Sequence, residues 1–205
     1  MRTCYDGTIL RGTLHLRGPG LASLTQRLQE ITEEPWLPVS TGALAGVFAV
    51  AAFVLWLGHS GERWVWVLDN ANLAFHEAGH PIFGLLSYRL AVYGGTLGQL
   101  AFPLLTTLAF WSRRHPASFV LCGTWLCENL FNIATYMADA RAMRLPLAGG
   151  LDPQDAHDWH EILSRWGLLR WDTTLAFGLR TIGWVGMLAL CGWLALRWQR
   201  DRGER

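Results

Sequence analysis

The stretch His76-Glu77-Ala78-Gly79-His80 decides how the rest of this chain is interpreted. Two histidines four positions apart lie on one face of a helix, because four residues make just over one turn. Two imidazoles at that spacing can bind one zinc ion, and the glutamate beside the first can take a proton from a water at the metal. The motif therefore predicts a Zn²⁺ site with His76 and His80 as ligands and Glu77 as the catalytic base.

The residues on either side of this motif, 68–74 and 81–86, read as parts of one membrane span. Ionisable side chains inside a span are costly and are usually retained for function. Three of them within five residues need a partner, and a metal ion is the simplest one. The alternative is that His76, Glu77 and His80 only pack inside a helix bundle.

The composition is that of a polytopic membrane protein. Hydrophobic residues make up 51% of the 205 positions, charged residues only 16%, and twelve residues are tryptophan. We therefore expect the lipid bilayer as the surroundings of the chain. A net charge of +1 gives no electrostatic basis for binding nucleic acid. Every basic residue is arginine, which excludes a lysine nucleophile.

The apolar runs predict an all-α transmembrane bundle of about five spans, preceded by a short extramembrane segment at residues 1–40. Within that segment we expect a short hairpin near residues 5–10 and an amphipathic helix from residue 21. The bundle covers residues 41–198 and includes an extramembrane helical segment at 141–172, and a basic tail follows at 199–205. The predicted spans are 41–58, 68–92, 96–111, 117–138 and 174–196, with a turn at Gly94-Gly95. The expected location is a multi-pass position in a bacterial inner (cell) membrane.

A polar stripe on the fourth predicted span offers the third metal ligand. Glu128, Asn132, Thr135 and Asp139 fall on one face of an otherwise apolar helix. Such a stripe must face protein or water, and the motif on the second span is the obvious partner. Glu128 matches the motif in predicted depth, whereas Asp139 lies roughly 16 Å further along a straight helix. Depth favours Glu128 as the ligand and leaves Asp139 as the alternative.

Two further polar features lie outside the motif. Gln99, on the third span, is interpreted as an interhelical hydrogen-bonding residue, with binding of substrate backbone as the alternative. His157, His160 and Glu161 share one face of a predicted helix near residue 152. They are interpreted as part of a solvated, capped helix, with a second metal site or an extra ligand folding back as the alternative.

The motif in an early span, followed by a polar-faced later span, resembles the site-2 protease family of intramembrane zinc metalloproteases. The resemblance implies that His76 and His80 bind zinc with a later aspartate and that Glu77 is the general base. The family's later motif is N-x-x-P-x-x-x-x-D-G. This chain has Asn132 and Asp139 with one residue fewer between them and no proline, so Glu128 and Asp139 both stay open as third ligand.

The predicted function is hydrolysis of peptide bonds in a transmembrane protein substrate. Asn132 or Tyr136 would donate a hydrogen bond to the oxyanion that develops during the reaction. A substrate span must unwind locally first, because its peptide groups are bonded within the helix. Two alternatives remain, namely a membrane zinc hydrolase acting on a lipid amide or ester, and a metal-binding membrane protein without catalytic activity.

Overall fold

The computed structural model describes residues 34–60, 65–147, 150, 152 and 156–204. In that part of the chain there are six α-helices and no β-strand, which confirms the all-α class. The predicted hairpin and amphipathic helix near the N-terminus lie outside the described residues. The helices are α1 (Thr41–His59), α2 (Trp66–Gly84), α3 (Tyr88–Ser112), α4 (Pro116–Ala138), α5 (Asp158–Arg165) and α6 (Asp172–Gly203).

The starts of the helices follow ordinary capping chemistry. The Ser40 hydroxyl accepts the Ala43 N–H at the start of α1, and the Ser87 hydroxyl accepts the Arg89 N–H at the start of α3. Pro116 occupies the first turn of α4, where its missing N–H costs nothing. Serine and proline therefore set where three of the long helices begin.

Two helical stretches are long and apolar enough to cross a membrane. They are α1 and the stretch Leu169–Gly203, which joins the 3-10 turn Leu169–Trp171 to α6. The 19 residues of α1 extend roughly 28 Å, close to the hydrocarbon thickness of a bilayer. The expected number of five spans is not confirmed. In α2 the polar side chains of Asp69, Asn72 and the motif lower its hydropathy.

Helices α2 and α3 touch backbone to backbone. A Cβ atom on Gly79 would lie 2.0 Å from the Gly94 carbonyl oxygen, and one on Gly98 would lie 2.5 Å from the Phe75 carbonyl oxygen. The predicted turn at Gly94-Gly95 is therefore wrong, because both glycines lie inside α3 and the chain turns at residues 85–87. Their lack of a side chain allows close helix contact and does not mark a reversal of the chain.

Helix α4 is the centre of the bundle and packs against α1, α3 and α6. One buried cluster joins Val54 of α1, Phe131 of α4 and Met187 of α6. A second joins Ala134 near the end of α4 to Leu163 of α5. Short helix α5 is thus attached to the carboxyl end of α4 by apolar packing.

Candidate metal centre

His76, His80 and Asp158 bring three possible metal ligands together. Their ligand atoms all lie within 4.8 Å of one another. Oδ2 of Asp158 is 2.9 Å from Nε2 of His76 and 3.3 Å from Nε2 of His80. This group could hold a metal ion, because imidazole nitrogen and carboxylate oxygen are ordinary ligands of divalent metals.

The other ring nitrogen of each histidine is held by an oxygen acceptor. Nδ1–H of His76 donates to Oε1 of Gln99 at 2.7 Å, and Nδ1–H of His80 donates to the carbonyl oxygen of Ala91 at 2.9 Å. A proton fixed on Nδ1 leaves Nε2 as the coordinating atom of a neutral imidazole. Both rings therefore turn the nitrogen that would bind a metal toward Asp158, and the donor set fits a cation.

A glycine keeps open the space beside these atoms. A Cβ on Gly95 would lie 2.5 Å from Nε2 of His76 and 2.8 Å from Nε2 of His80. Any side chain on α3 at this position would fill the space next to both ligand atoms. Gly95 thus serves a local need for room in addition to the close approach of the helices.

Helix α5 carries Asp158 to the histidines. His157 is the N-cap residue of α5, and its Nδ1 accepts the His160 N–H at 3.2 Å. Nδ1–H of His160 donates to the Ala140 carbonyl oxygen at 2.7 Å, and the Asp158 N–H donates to the Tyr136 hydroxyl at 3.1 Å. With the buried Leu163, these contacts fix the first turn of α5 against the end of α4.

Asp158 is held as an anion by its partners. Its residue is 8% exposed, and burial alone would disfavour the charged form. Burial opposes ionisation, but the side-chain hydrogen bonds with His76 and His80, which require a proton on Nε2 when no metal is bound there, hold the pKa of Asp158 below its ordinary value. A carboxylate that stays ionised is the form that can bind a cation.

A cavity of about 860 Å³ opens onto the three residues. Glu77 and Tyr136 line it together with both histidines and Asp158. The ring centroid of Tyr136 lies 6.0 Å from that of His76, and its hydroxyl oxygen already accepts the Asp158 N–H. No acceptor among the described residues takes the hydroxyl hydrogen of Tyr136, so it can be donated to a molecule in the cavity.

No family model, curated protein or solved structure matches this chain. The resemblance to site-2 proteases rests on the motif His76-Glu77-Ala78-Gly79-His80 and on its position in the sequence.

Glu128 occupies a different place from the one predicted. It is 3% exposed, and its Oε2 accepts the side-chain N–H of Asn72 at 2.9 Å. The carboxyl group of Asp69 is a close neighbour. Glu128 is not part of the possible metal-ligand group among the described residues. Glu128 does face α2, as its predicted depth suggested. Its neighbours there are Asp69 and Asn72, and not the two histidines.

Asp139 lies outside the ligand group as well. Its Oδ2 accepts the backbone N–H groups of Arg144 and Leu145 at 2.8 and 2.9 Å, and lies 3.6 Å from Nε2 of His157. The carboxylate thus organises the turn that follows α4. Asn132, also predicted at the site, lines the cavity but donates its amide N–H to Asp69 at 2.8 Å.

The third carboxylate beside the histidines is therefore Asp158, which the sequence alone did not single out. The alternative that a ligand folds back from the cluster at residues 157–161 came closest to it. In a helix capped by His157, the first carboxylate inside the helix is the one that faces the bundle. The interhelical role predicted for Gln99 is confirmed, since its amide N–H donates to Asn129 on α4 at 2.7 Å.

Proposed function

We propose that this protein is a membrane-embedded zinc hydrolase of the metallopeptidase type that cleaves peptide bonds of membrane proteins. The observation that carries the proposal is the convergence of Nε2 of His76, Nε2 of His80 and Oδ2 of Asp158 on one point of a cavity that Glu77 also lines. Two imidazoles and one carboxylate make a ligand set typical of catalytic zinc, which keeps one position open for water or substrate. Zinc bound there would polarise a carbonyl group and lower the pKa of the attacking water.

Glu77 is the general base of the proposed reaction. It follows His76 directly on α2 and lies on the cavity wall. Its carboxylate takes the proton of the attacking water and passes it to the nitrogen that leaves when the peptide bond breaks. Glu77 is exposed and lines the cavity, so its carboxylate would be within reach of a substrate there.

Tyr136 supplies the hydrogen bond to the oxygen that gains charge. Its hydroxyl hydrogen is available, and it stands beside His76 and Asp158. A donor held in place before the reaction stabilises developing charge without reorganising. The amide of Asn132 donates to Asp69, so Tyr136 is the better placed of the two predicted donors.

Apolar surface supports a position within the bilayer. Besides α1 and α6, the outward side of α3 exposes Leu97, Leu104, Leu105 and Leu108. Several exposed leucines on one side of a helix are favourable when lipid, and not water, surrounds them. We therefore propose a multi-pass arrangement in which α3 also contacts lipid and the cavity lies at membrane depth.

The cavity favours an extended substrate segment. An intact helix with its side chains is roughly 10–12 Å across and satisfies its own peptide groups. The cavity of about 860 Å³ takes only a few residues of unwound chain. A locally unwound span of a membrane protein is thus the substrate that we propose.

The test uses the full-length protein in lipid vesicles with a labelled membrane-spanning peptide. We compare wild type with Glu77→Gln, which keeps the shape of the side chain and removes the base. The expected result is zinc at the wild-type level and cleavage reduced by about 10²–10⁴-fold. Cleavage by Glu77→Gln at the wild-type rate would overturn the proposal. If vesicle lipid is hydrolysed and no peptide products form, the substrate is a lipid amide or ester and not a membrane protein.

A further inference from the structure

A chain of buried amides connects His76 to the interior of the bundle. Nε2–H of Gln99 donates to Oδ1 of Asn129 at 2.7 Å, and Nδ2–H of Asn129 donates to Oδ1 of Asn72 at 2.9 Å. Asn72 then donates to Oε2 of Glu128 at 2.9 Å. None of these four residues is more than 4% exposed. Their polar groups therefore depend on one another for hydrogen bonds.

Two groups fix which end of each amide donates and which end accepts, because one of them can only donate a hydrogen bond and the other can only accept one. The indole N–H of Trp125 can only donate, and it lies 2.8 Å from Oδ1 of Asn72. The backbone carbonyl of Gln99 can only accept, and Nδ2 of Asn129 lies 2.8 Å from it. Asn129 must consequently turn its oxygen toward the side chain of Gln99, and Gln99 must turn its own oxygen toward His76.

The far end of the chain is anchored on two carboxyl groups. The carboxyl groups of Glu128 and Asp69 are close neighbours. Asp69 accepts the backbone N–H of Val65 and the side-chain N–H of Asn132. Oε2 of Glu128 is the acceptor at this end of the chain, because it accepts the side-chain N–H of Asn72.

We infer that Gln99 is a positioning residue for the metal centre, held in one amide orientation by Asn129, Asn72 and Trp125 so that His76 keeps its proton on Nδ1. The inference rests on the proposed function, because it assigns Gln99 a role toward the metal ligand His76. Along the chain, each side-chain amide donates to the next side chain away from the histidine. As a result, only an oxygen faces Nδ1, and Nε2 is left as the ligand atom. Loss of such a partner typically weakens metal binding by about 10–100-fold.

The experiment titrates metal-free, full-length protein in detergent with Co²⁺, whose visible absorption reports both affinity and coordination geometry. Gln99→Met keeps the length of the side chain and removes the acceptor, whereas Gln99→Glu keeps an oxygen acceptor. Thr107→Val is the matched control. Thr107 is a buried polar residue of the same helix whose hydroxyl bonds only to the Pro103 carbonyl at 2.6 Å.

Gln99→Met should bind Co²⁺ about 10–100-fold more weakly, with an altered absorption spectrum. Gln99→Glu and Thr107→Val should keep the wild-type spectrum and an affinity close to that of wild type. Wild-type binding and spectrum in Gln99→Met, or equal weakening in Gln99→Met and Gln99→Glu, would overturn the inference and leave the proposed metal site standing. A wild-type protein that binds neither Co²⁺ nor Zn²⁺ would overturn both.

A second variant tests the direction of the chain without touching Gln99. Trp125→Phe keeps an aromatic ring against Phe102 and removes the indole N–H. It should weaken Co²⁺ binding in wild type and have no further effect in the Gln99→Met background, since both act through one set of bonds. Additive losses in affinity would contradict a common route through Gln99.

Discussion

Oδ2 of Asp158 lies 2.9 Å from Nε2 of His76, although 82 positions of sequence separate the two residues. The contact brings a carboxylate from short helix α5 to a histidine inside α2. Substituting Asp158 is therefore the most direct test of which carboxylate binds the metal, since Glu128 and Asp139 were the candidates from the sequence.

Replacing Asp158 by Asn should release zinc. The amide keeps the size of the side chain but carries no charge, and the loss in affinity should exceed the about 10–100-fold typical for a partner of a ligand. Glu128→Gln and Asp139→Asn are the matched changes at the two other carboxylates, and both should retain the metal. Zinc per protein after dialysis measures the outcome. Zinc retained by Asp158→Asn but lost from Glu128→Gln would reverse the assignment.

Gly95→Ala should abolish metal binding. The new methyl group would stand 2.5 Å from Nε2 of His76, so one or both imidazoles must move. Overpacking of this kind costs about 1–3 kcal/mol in unfolding free energy. Gly178→Ala in α6 is the control, because a Cβ there meets nothing within 4 Å. Isothermal titration calorimetry with Zn²⁺ measures the affinity of both variants. An unchanged affinity in Gly95→Ala would show that the ion binds elsewhere.

Zinc should protect helix α5 from hydrogen exchange. The metal would join Asp158 to two residues of α2, while other contacts tie α5 to the end of α4. A ligand at 1,000 times its Kd stabilises the folded state by about 4 kcal/mol. Adding a chelator should therefore speed exchange in residues 158–165 more than in the middle of α4. Equal exchange in α5 with and without zinc would contradict this prediction.

Acidification should remove the metal by protonating the imidazoles. A proton competes with the metal for Nε2 of His76 and His80, so affinity falls as pH falls. Because its partners lower the pKa of Asp158, that carboxylate stays ionised in the same range. The hydrogen bond with Asp158 raises the pKa of His80 to about 9, so zinc affinity should decrease from about pH 9 to about pH 5, with protons taken up as zinc leaves. Affinity independent of pH over this range would exclude histidine ligands.

Tyr136→Phe should keep zinc and lose activity. Removing one donor to a developing oxyanion typically lowers kcat by about 10²–10³-fold. Asn132→Ala should lower the rate less, because the amide of Asn132 donates to Asp69. The rates are measured with the same vesicle assay as for Glu77→Gln. If Asn132→Ala lowers the cleavage rate more than Tyr136→Phe at equal zinc content, Asn132 and not Tyr136 is the donor to the oxyanion.

The all-α class and the placement of the two histidines on one helical face could be predicted from the sequence, because both follow from local rules. Ser40 and Pro116 mark helix starts, and the spacing of His76 and His80 follows from the helical repeat. Gly94-Gly95 misled the prediction of a turn, since glycine serves close helix packing as readily as chain reversal.

Asp158 could not be ranked first from sequence, because its position beside the histidines depends on tertiary packing. Depth along straight helices compared Glu128 with Asp139, and both lie on α4 or at its end. Asp158 reaches the histidines only because Leu163 and His160 dock α5 on α4. The polar stripe on α4 likewise could not show whether Glu128 binds a metal or, as in the structure, accepts a hydrogen bond from Asn72.

The backbone contact between Gly79 and Gly94 has a mechanical consequence. Two helices that meet without intervening side chains cannot part slightly and repack, so α2 and α3 behave as a stiff pair. Of the three residues that could hold a metal, His76 and His80 lie on this pair and Asp158 lies on α5. A movement of α5 relative to the pair would therefore take the carboxylate from the group and leave the two imidazoles in place.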